Sequence, residues 1–323
     1  MSIWKLRASV IGTLAIIIGL STLFFTVILT LLGTFNITTI IIFVVIFNIA
    51  QWLIAPYLID AIYRVKEAKP NENPKLYSMV ESLSRKSGIK TPRVMIANMP
   101  MPNAFAYGSP IAGKRIAVTS ELLTTLNDEE VEAVIGHELG HLKHLDVQVM
   151  MFVSVLPAIF YYIGYSMLLS SMYRRSDRDS GGGAAIGIAA IAIYWILTLF
   201  TLQLSRTREY YADRHSASIV ENGPRKLSVG LVKIVNSTER MRRTRRGTSV
   251  SHLNSLKALF ISDPDTSSAD ARQLAHLQDN ELVEKVMQKQ ITTFDRIQEA
   301  LSTHPNIVKR LRALKELEKE TTA

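Results

Sequence analysis

The sequence predicts a mainly α integral membrane protein, with four transmembrane helices and an α+β domain carrying a small sheet. Three observations predict it. Charge-free runs of membrane-spanning length recur along the chain. The polar stretches between and after them alternate strand-like and helix-like periods. Hydrophobic residues make up 48 % of 323, high for a soluble chain of this length.

After Lys5 and Arg7 the next charge is Asp60. One helix needs roughly 20 apolar residues to cross a bilayer. Residues 1–60 therefore read as a transmembrane hairpin with spans at about 8–33 and 37–59, turning at Gly33-Thr34-Phe35-Asn36. A cleaved signal peptide fits poorly, because its apolar part is shorter and a second span follows at once. Residues 147–205 read as a second hairpin, with spans at about 147–173 and 184–205 joined by the polar turn at 174–183. The plainer reading of its Gly- and Ala-rich second arm is a buried helix of a soluble domain. Trp4, Trp52, Tyr57 and Tyr173 lie near span ends, where amphipathic rings favour the interface.

Basic residues near span ends set orientation. Lys5 and Arg7 precede the first span, Arg64, Lys66 and Lys69 follow the second, and Arg206, Arg208 and Arg214 follow the fourth. The expectation is a multi-pass protein of the cell (plasma) membrane with both termini and the polar domain on the cytoplasmic side. The three arginines of the 174–179 turn oppose this and are diluted by two aspartates.

The polar remainder falls in two pieces, 61–146 and 206–323, which two crossings bring to the same side. They are expected to form the two halves of one catalytic domain. "PKLYSMVESLSRKSG" reads as an amphipathic helix, and "RVMIANM" and "RIAVTS" as strands with "NAFAY" between them. The second piece reads as mostly helical. The net charge of +9 raises nucleic acid or anionic lipid as partners. The basic loop "ERMRRTRRGTS" carries no aromatic-studded face, so the lipid bilayer is the expected partner and nucleic acid is not. With no cysteine, thiolate metal sites and disulfides are excluded, and a metal would need His, Asp or Glu.

"LNDEEVEAVIGHELGHLKHLD" (126–146) is where chemistry concentrates. Asn127 with Glu130 three residues on is a capping-box start. A helix begun there sets His137 and His141 one turn apart on one face, a spacing that lets two imidazoles hold one Zn²⁺. Glu138, one residue round, can reach a water beside the metal without ligating it and act as general base. This is the H-E-x-x-H pattern of metalloproteases. The plainer reading is a surface helix with satisfied histidines. A third ligand is still needed, and "SRTREYYADRHS" after the fourth span offers Glu209, with Asp213 one turn on to orient a ligand histidine. On spacing alone, an exposed Glu209 with Asp213 paired to Arg214 or Arg208 is an equal alternative. Asn103, Ala104, Phe105 and Ala106 form a candidate edge strand for a substrate backbone, or a structural hairpin.

Six segments together give the chain a resemblance: "PNAFA" (102–106), "VTSELL" (118–123), "HELGHLKHLD" (137–146), "SRTREYYAD" (205–213), "KALFISDP" (257–264) and "STHPNIVKRLRAL" (302–314). In that order, and with four spans, they resemble the HtpX family of integral-membrane zinc metallopeptidases, in the clan that also holds the CAAX prenyl proteases. The resemblance implies a zincin-like catalytic domain with one Zn²⁺ per chain held by His137, His141 and Glu209. It implies Glu138 as general base, Asp213 as the group behind a ligand, protein substrates at the membrane, and a role in quality control under stress. His304, in "STHP", is a candidate oxyanion donor or a helix cap. Arg310 is a candidate lining residue of the substrate cleft. His144 points past the metal, and His215, His252 and His276 match nothing. Two rivals remain at this point: a CAAX-type prenyl protease, and a non-catalytic scaffold with a structural metal.

Overall fold

The structure, a computed structural model, describes residues 37–173, 180–244 and 279–322. The expected first span (8–33), the 174–179 turn, "KALFISDP", His252 and His276 lie outside the described residues. Among the described residues three helices are long and apolar enough to cross a membrane: Ile41–Ile62, Asp146–Met172 and Gly183–Ile219.

In chain order the elements are α1 (Ile37–Ile62), β1 (Lys66–Glu67), α2 (Pro74–Ser87), β2 (Arg93–Ala97), β3 (Ala104–Ser109), β4 (Gly113–Thr119), α3 (Ser120–Thr125), α4 (Asp128–Lys143) and α5 (Asp146–Tyr173). There follow α6 (Ser180–Ile219), α7 (Gly223–Thr244), α8 (Asp279–Met287), α9 (Thr293–Ala300) and α10 (Ile307–Thr322). The chain divides into two compact units, one of Met1–Gln51 and Met150–Thr201, the other of Trp52–Val149 and Leu202–Ala323.

In the described part of the first unit, Val44 of α1 packs with Ala158, Ile159 and Tyr162 of α5. A Cβ placed on Gly164 would lie 2.9 Å from the Gly187 carbonyl oxygen, so α5 and α6 touch backbone to backbone there. Small residues serve this purpose between apolar helices, where lipid offers no hydrophobic drive for association.

The second unit is built around α4. Its Val131, Ala133, Val134, Ile135, Leu139 and Leu142 are buried almost completely, and Glu130, His137 and Glu138 of the same helix are buried with them. The apolar ones meet Leu227, Leu231 and Val235 of α7, Val80 and Leu83 of α2, and Leu311 and Leu314 of α10 in one core cluster. Truncating such a leucine to Ala costs roughly 2–5 kcal/mol. On one side lies a four-stranded mixed sheet in the order β1-β2-β4-β3. β2 and β4 are parallel, while β3 returns antiparallel on the outside of β4. The alternating "RVMIA" and "RIAVT" segments thus form strands as the pattern predicts. The two-residue β1 is too short to show a period. α2 ends at Gly88, whose φ of 68° and backbone N–H to the Arg85 and Ser84 carbonyls make a left-handed cap.

Candidate metal centre

α4 starts as its sequence dictates. The Asn127 side chain accepts from the Glu130 N–H at 2.9 Å, and the Asn127 N–H donates to the Glu130 carboxylate at 3.1 Å. Lys233 of α7 donates to the other Glu130 oxygen at 2.7 Å. Two turns on, His137 is 0 % exposed and Glu138 is 3 % exposed.

Gly136 and Gly140 let α6 lie directly against this motif. A Cβ on Gly140 would meet the Ala212 Cα at 3.0 Å, and one on Gly136 would meet the Ser216 Oγ at 3.1 Å. That approach brings Glu209 to the histidines. His137 Nε2 and His141 Nε2 are 3.2 Å apart. Glu209 lies 3.6 Å from the first through Oε2 and 3.5 Å from the second through Oε1. A tetrahedral ion with bonds of about 2.0–2.1 Å holds its ligand atoms roughly 3.3–3.4 Å apart. The histidine nitrogens are close to that separation, each Glu209 oxygen lies near it from one of them, and one atom from each of the three residues falls within 4.8 Å of the others, so the donor set could hold a metal ion.

The outer nitrogens support this. His137 Nδ1 lies 2.9 Å from Asp213 Oδ1, and His141 Nδ1 lies 2.6 Å from Asp146 Oδ2. A proton on each Nδ1 turns a lone pair on each Nε2 toward the centre, the arrangement a metal needs. Burial alone would lower the pKa of His141, but the bond to Asp146 and the charges of Glu209 and Glu138 push it up to about 9. Three carboxylates thus make the spot strongly cation-seeking, and a metal replaces the proton held there without it.

A further layer supports the carboxylates. The Arg310 guanidinium is 1 % exposed. Its Nε and Nη2 engage both oxygens of Asp213, at 3.0 and 2.5 Å, and its Nη1 lies 3.0 Å from Glu209 Oε2. Burial would lower its pKa, but the two carboxylates more than offset this and raise it. Arg310 therefore meets the site's own carboxylates and offers no open face to a cleft. Arg208 pairs with Asp146 and donates to the His144 carbonyl at 2.6 Å.

His304 is buried, with Nδ1 3.3 Å from Glu209 Oε1. Its loop is held by Arg206, whose Nη1 donates to the carbonyls of Glu299, Ala300 and Ser302 at 2.8–3.0 Å. His144 turns its ring toward Tyr211 and His215, away from the triad. Asn103 immediately precedes β3, an outer strand of the sheet, and Ala104 opens it; Phe105 is buried while Ala106 is partly exposed. No other strand among the described residues pairs with that outer edge.

The sequence pattern of peptidase family M48 matches residues 70–318, which takes in every side chain of this centre. The chain belongs to that family. Two M48 relatives are the Protease HtpX homolog of Thermoplasma acidophilum, 38 % identical over 84 % of this chain and 83 % of the relative, and the Protease HtpX homolog 2 of Sulfurisphaera tokodaii, 41 % identical over 73 % and 77 %. Among solved structures, Ste24p of S. mikatae shares the fold with a TM-score of 0.55 at 17 % identity. The match covers 96 % of this chain and 66 % of that longer one, just under two thirds. The M48 chain is accordingly a metallopeptidase, and its three apolar helices make it a membrane protein.

The structure brings together His137, Glu138, His141, Glu209, Asp213, His304 and Arg310. The alternative in which Asp213 pairs with Arg214 or Arg208 is not what it shows: Arg214 faces Glu320, and Arg208 faces Asp146. The sequence marks Asp146 as a structural partner but does not say of which group; the structure pairs it with His141. The residue is five positions past His141, beyond helical reach, and it arrives only because Leu145 takes a left-handed turn at φ 57°. Asp146→Asn is expected to weaken metal affinity about 10–100-fold, the usual cost of losing a ligand's orienting group. Competition with a chromogenic chelator measures it.

Proposed function

We propose that the chain is a zinc-dependent endopeptidase of the cell membrane that hydrolyses membrane or misfolded proteins at the cytoplasmic face, in protein quality control. The observation that carries this is the ligand triangle of His137, His141 and Glu209, with the Glu138 carboxylate on the same helix beside it.

Zinc held by those three residues supplies a Lewis acid toward the scissile carbonyl and a water of lowered pKa. The chain's own residues do the rest. Asp213 and Asp146 fix the two imidazoles, and Arg310 fixes Glu209. Glu138 takes the proton from the attacking water and passes it to the departing amine. His304 donates toward the carbonyl oxygen as negative charge builds there. The outer edge of β3 receives the substrate as an added strand, whose backbone pairing tolerates many sequences.

A structural-metal scaffold has no use for a buried Glu138 next to the ligands. The test is casein degradation by the purified full chain in detergent. A chelator is expected to abolish it, and stoichiometric Zn²⁺ to restore it. Cleavage confined to prenylated peptides would replace this reading with a prenyl protease.

A further inference from the structure

The β3–β4 hairpin is fastened to α1 at two heights. At the lower one, Tyr107 Oη donates to Asp60 at 2.6 Å, and the buried Arg115 pairs with the same carboxylate. Arg115 also lies over the Tyr57 ring, 5.4 Å from its centroid. At the upper one, the Ser109 hydroxyl donates to the Leu53 carbonyl at 3.2 Å. Pro56, three residues further on, removes the donor of the neighbouring Trp52 carbonyl and opens this stretch of the helix.

Asp60 and Leu53 are seven positions apart, about 10 Å along the helix axis. Asp60 is the first charge since Arg7, so the upper fastening lies well inside the apolar run that forms a candidate span. The turn reaches beyond it. "SPIAG" (109–113) has no charge, Pro110 is exposed, and Ile111 is 62 % exposed. The neighbouring α1 residues Ile54, Tyr57 and Leu58 are exposed apolar side chains as well. Lys114, the first charge after the turn, is folded back to the Leu142 carbonyl at 2.9 Å.

The backbone of this turn is suited to lipid. Ser109 opposes Gly113 in the ladder, and the Ala112 N–H donates to the Ser109 hydroxyl at 3.2 Å. The Ala112 carbonyl accepts from Arg115 Nε at 3.3 Å. Apolar surroundings demand that polar backbone groups be satisfied internally.

We propose that the Pro110–Ile111 tip enters the lipid interface beside α1, and that it thereby holds the outer edge of β3 where polypeptide leaves the bilayer. The first half stands on geometry alone; the second rests on the peptidase reading of β3 given above. Strand β3 then runs from the ligand helix toward the membrane, and an extended segment emerging from lipid meets its edge before reaching the metal.

The chain has no cysteine, so Ile111→Cys gives a unique spin-label site in the full protein, in vesicles of phosphatidylcholine and phosphatidylglycerol. Ser78→Cys, on the exposed face of α2, is the aqueous reference. Collisions at position 111 are expected to favour oxygen over a water-soluble nickel chelate. A label as open to nickel as that at 78, or one shielded from both reagents by protein, overturns the proposal. Ile111→Glu is expected to slow cleavage of a single-span reporter with an unfolded juxtamembrane tail about tenfold, because the carboxylate resists the interface, with casein turnover unchanged. Equal slowing of both substrates overturns the second half. A parent protein that cleaves neither substrate defeats the peptidase reading and leaves the depth measurement to decide the first half.

Discussion

Glu138→Gln is expected to lower kcat about 10²–10⁴-fold, the usual contribution of a positioned general base, while metal content and KM stay near those of the parent. The amide keeps the shape of the side chain and its place on α4 but cannot take a proton. The three proposed ligands are other residues, and their separations of 3.2–3.6 Å do not depend on residue 138. Metal analysis and steady-state casein kinetics on one preparation make the comparison. Loss of metal along with activity would recast Glu138 as part of the binding site. Retained activity would defeat the proposed mechanism.

The second large effect is on stability. Arg310→Met is expected to cost about 3–5 kcal/mol, the range for breaking a buried ion pair from one side. Asp213 and Glu209 are 2 % and 5 % exposed, and the variant leaves both beside an apolar side chain. The methionine approximates the length of the arginine, so the loss reads charge and hydrogen bonding more than volume. Thermal unfolding in detergent, done on chelator-treated protein, separates this from metal linkage, since bound metal adds its own stabilisation. An unchanged melting temperature would show that Arg310 is dispensable to the fold. Asp213→Asn with Arg310→Met removes one of the stranded charges and is expected to recover part of the loss, as coupled neighbours do.

Which parts of this centre are legible in the sequence follows from the range of the interactions. The Asn127 capping box and the His137–His141 pair obey three- and four-residue rules, and the structure places them as those rules require. Glu209 and Asp213 also share a helical face, but which groups they meet depends on α6 crossing α4. The clearance that permits it, at Gly136 and Gly140, is written inside the motif as two small residues four apart. Asp146 reads from the sequence as a structural partner, but its pairing with His141 is not legible, because no glycine or asparagine announces the left-handed turn at Leu145. Arg310 reads as a cleft residue because an arginine near a catalytic motif suggests an anion to bind. The anions proved to be two carboxylates of the site itself. Sheet order was beyond local reading too, since β2 and β4 pair in parallel across an intervening strand.

The proposed ligand set is interrupted by the chain's own path. His137 and His141 come before α5, and Glu209 lies far along α6. A ribosome that has finished the motif has made two of the three proposed ligands. The remaining ligand and Arg310 do not yet exist, and both apolar helices must be synthesised before they can. Assembly of the proposed centre therefore waits on synthesis of both apolar helices.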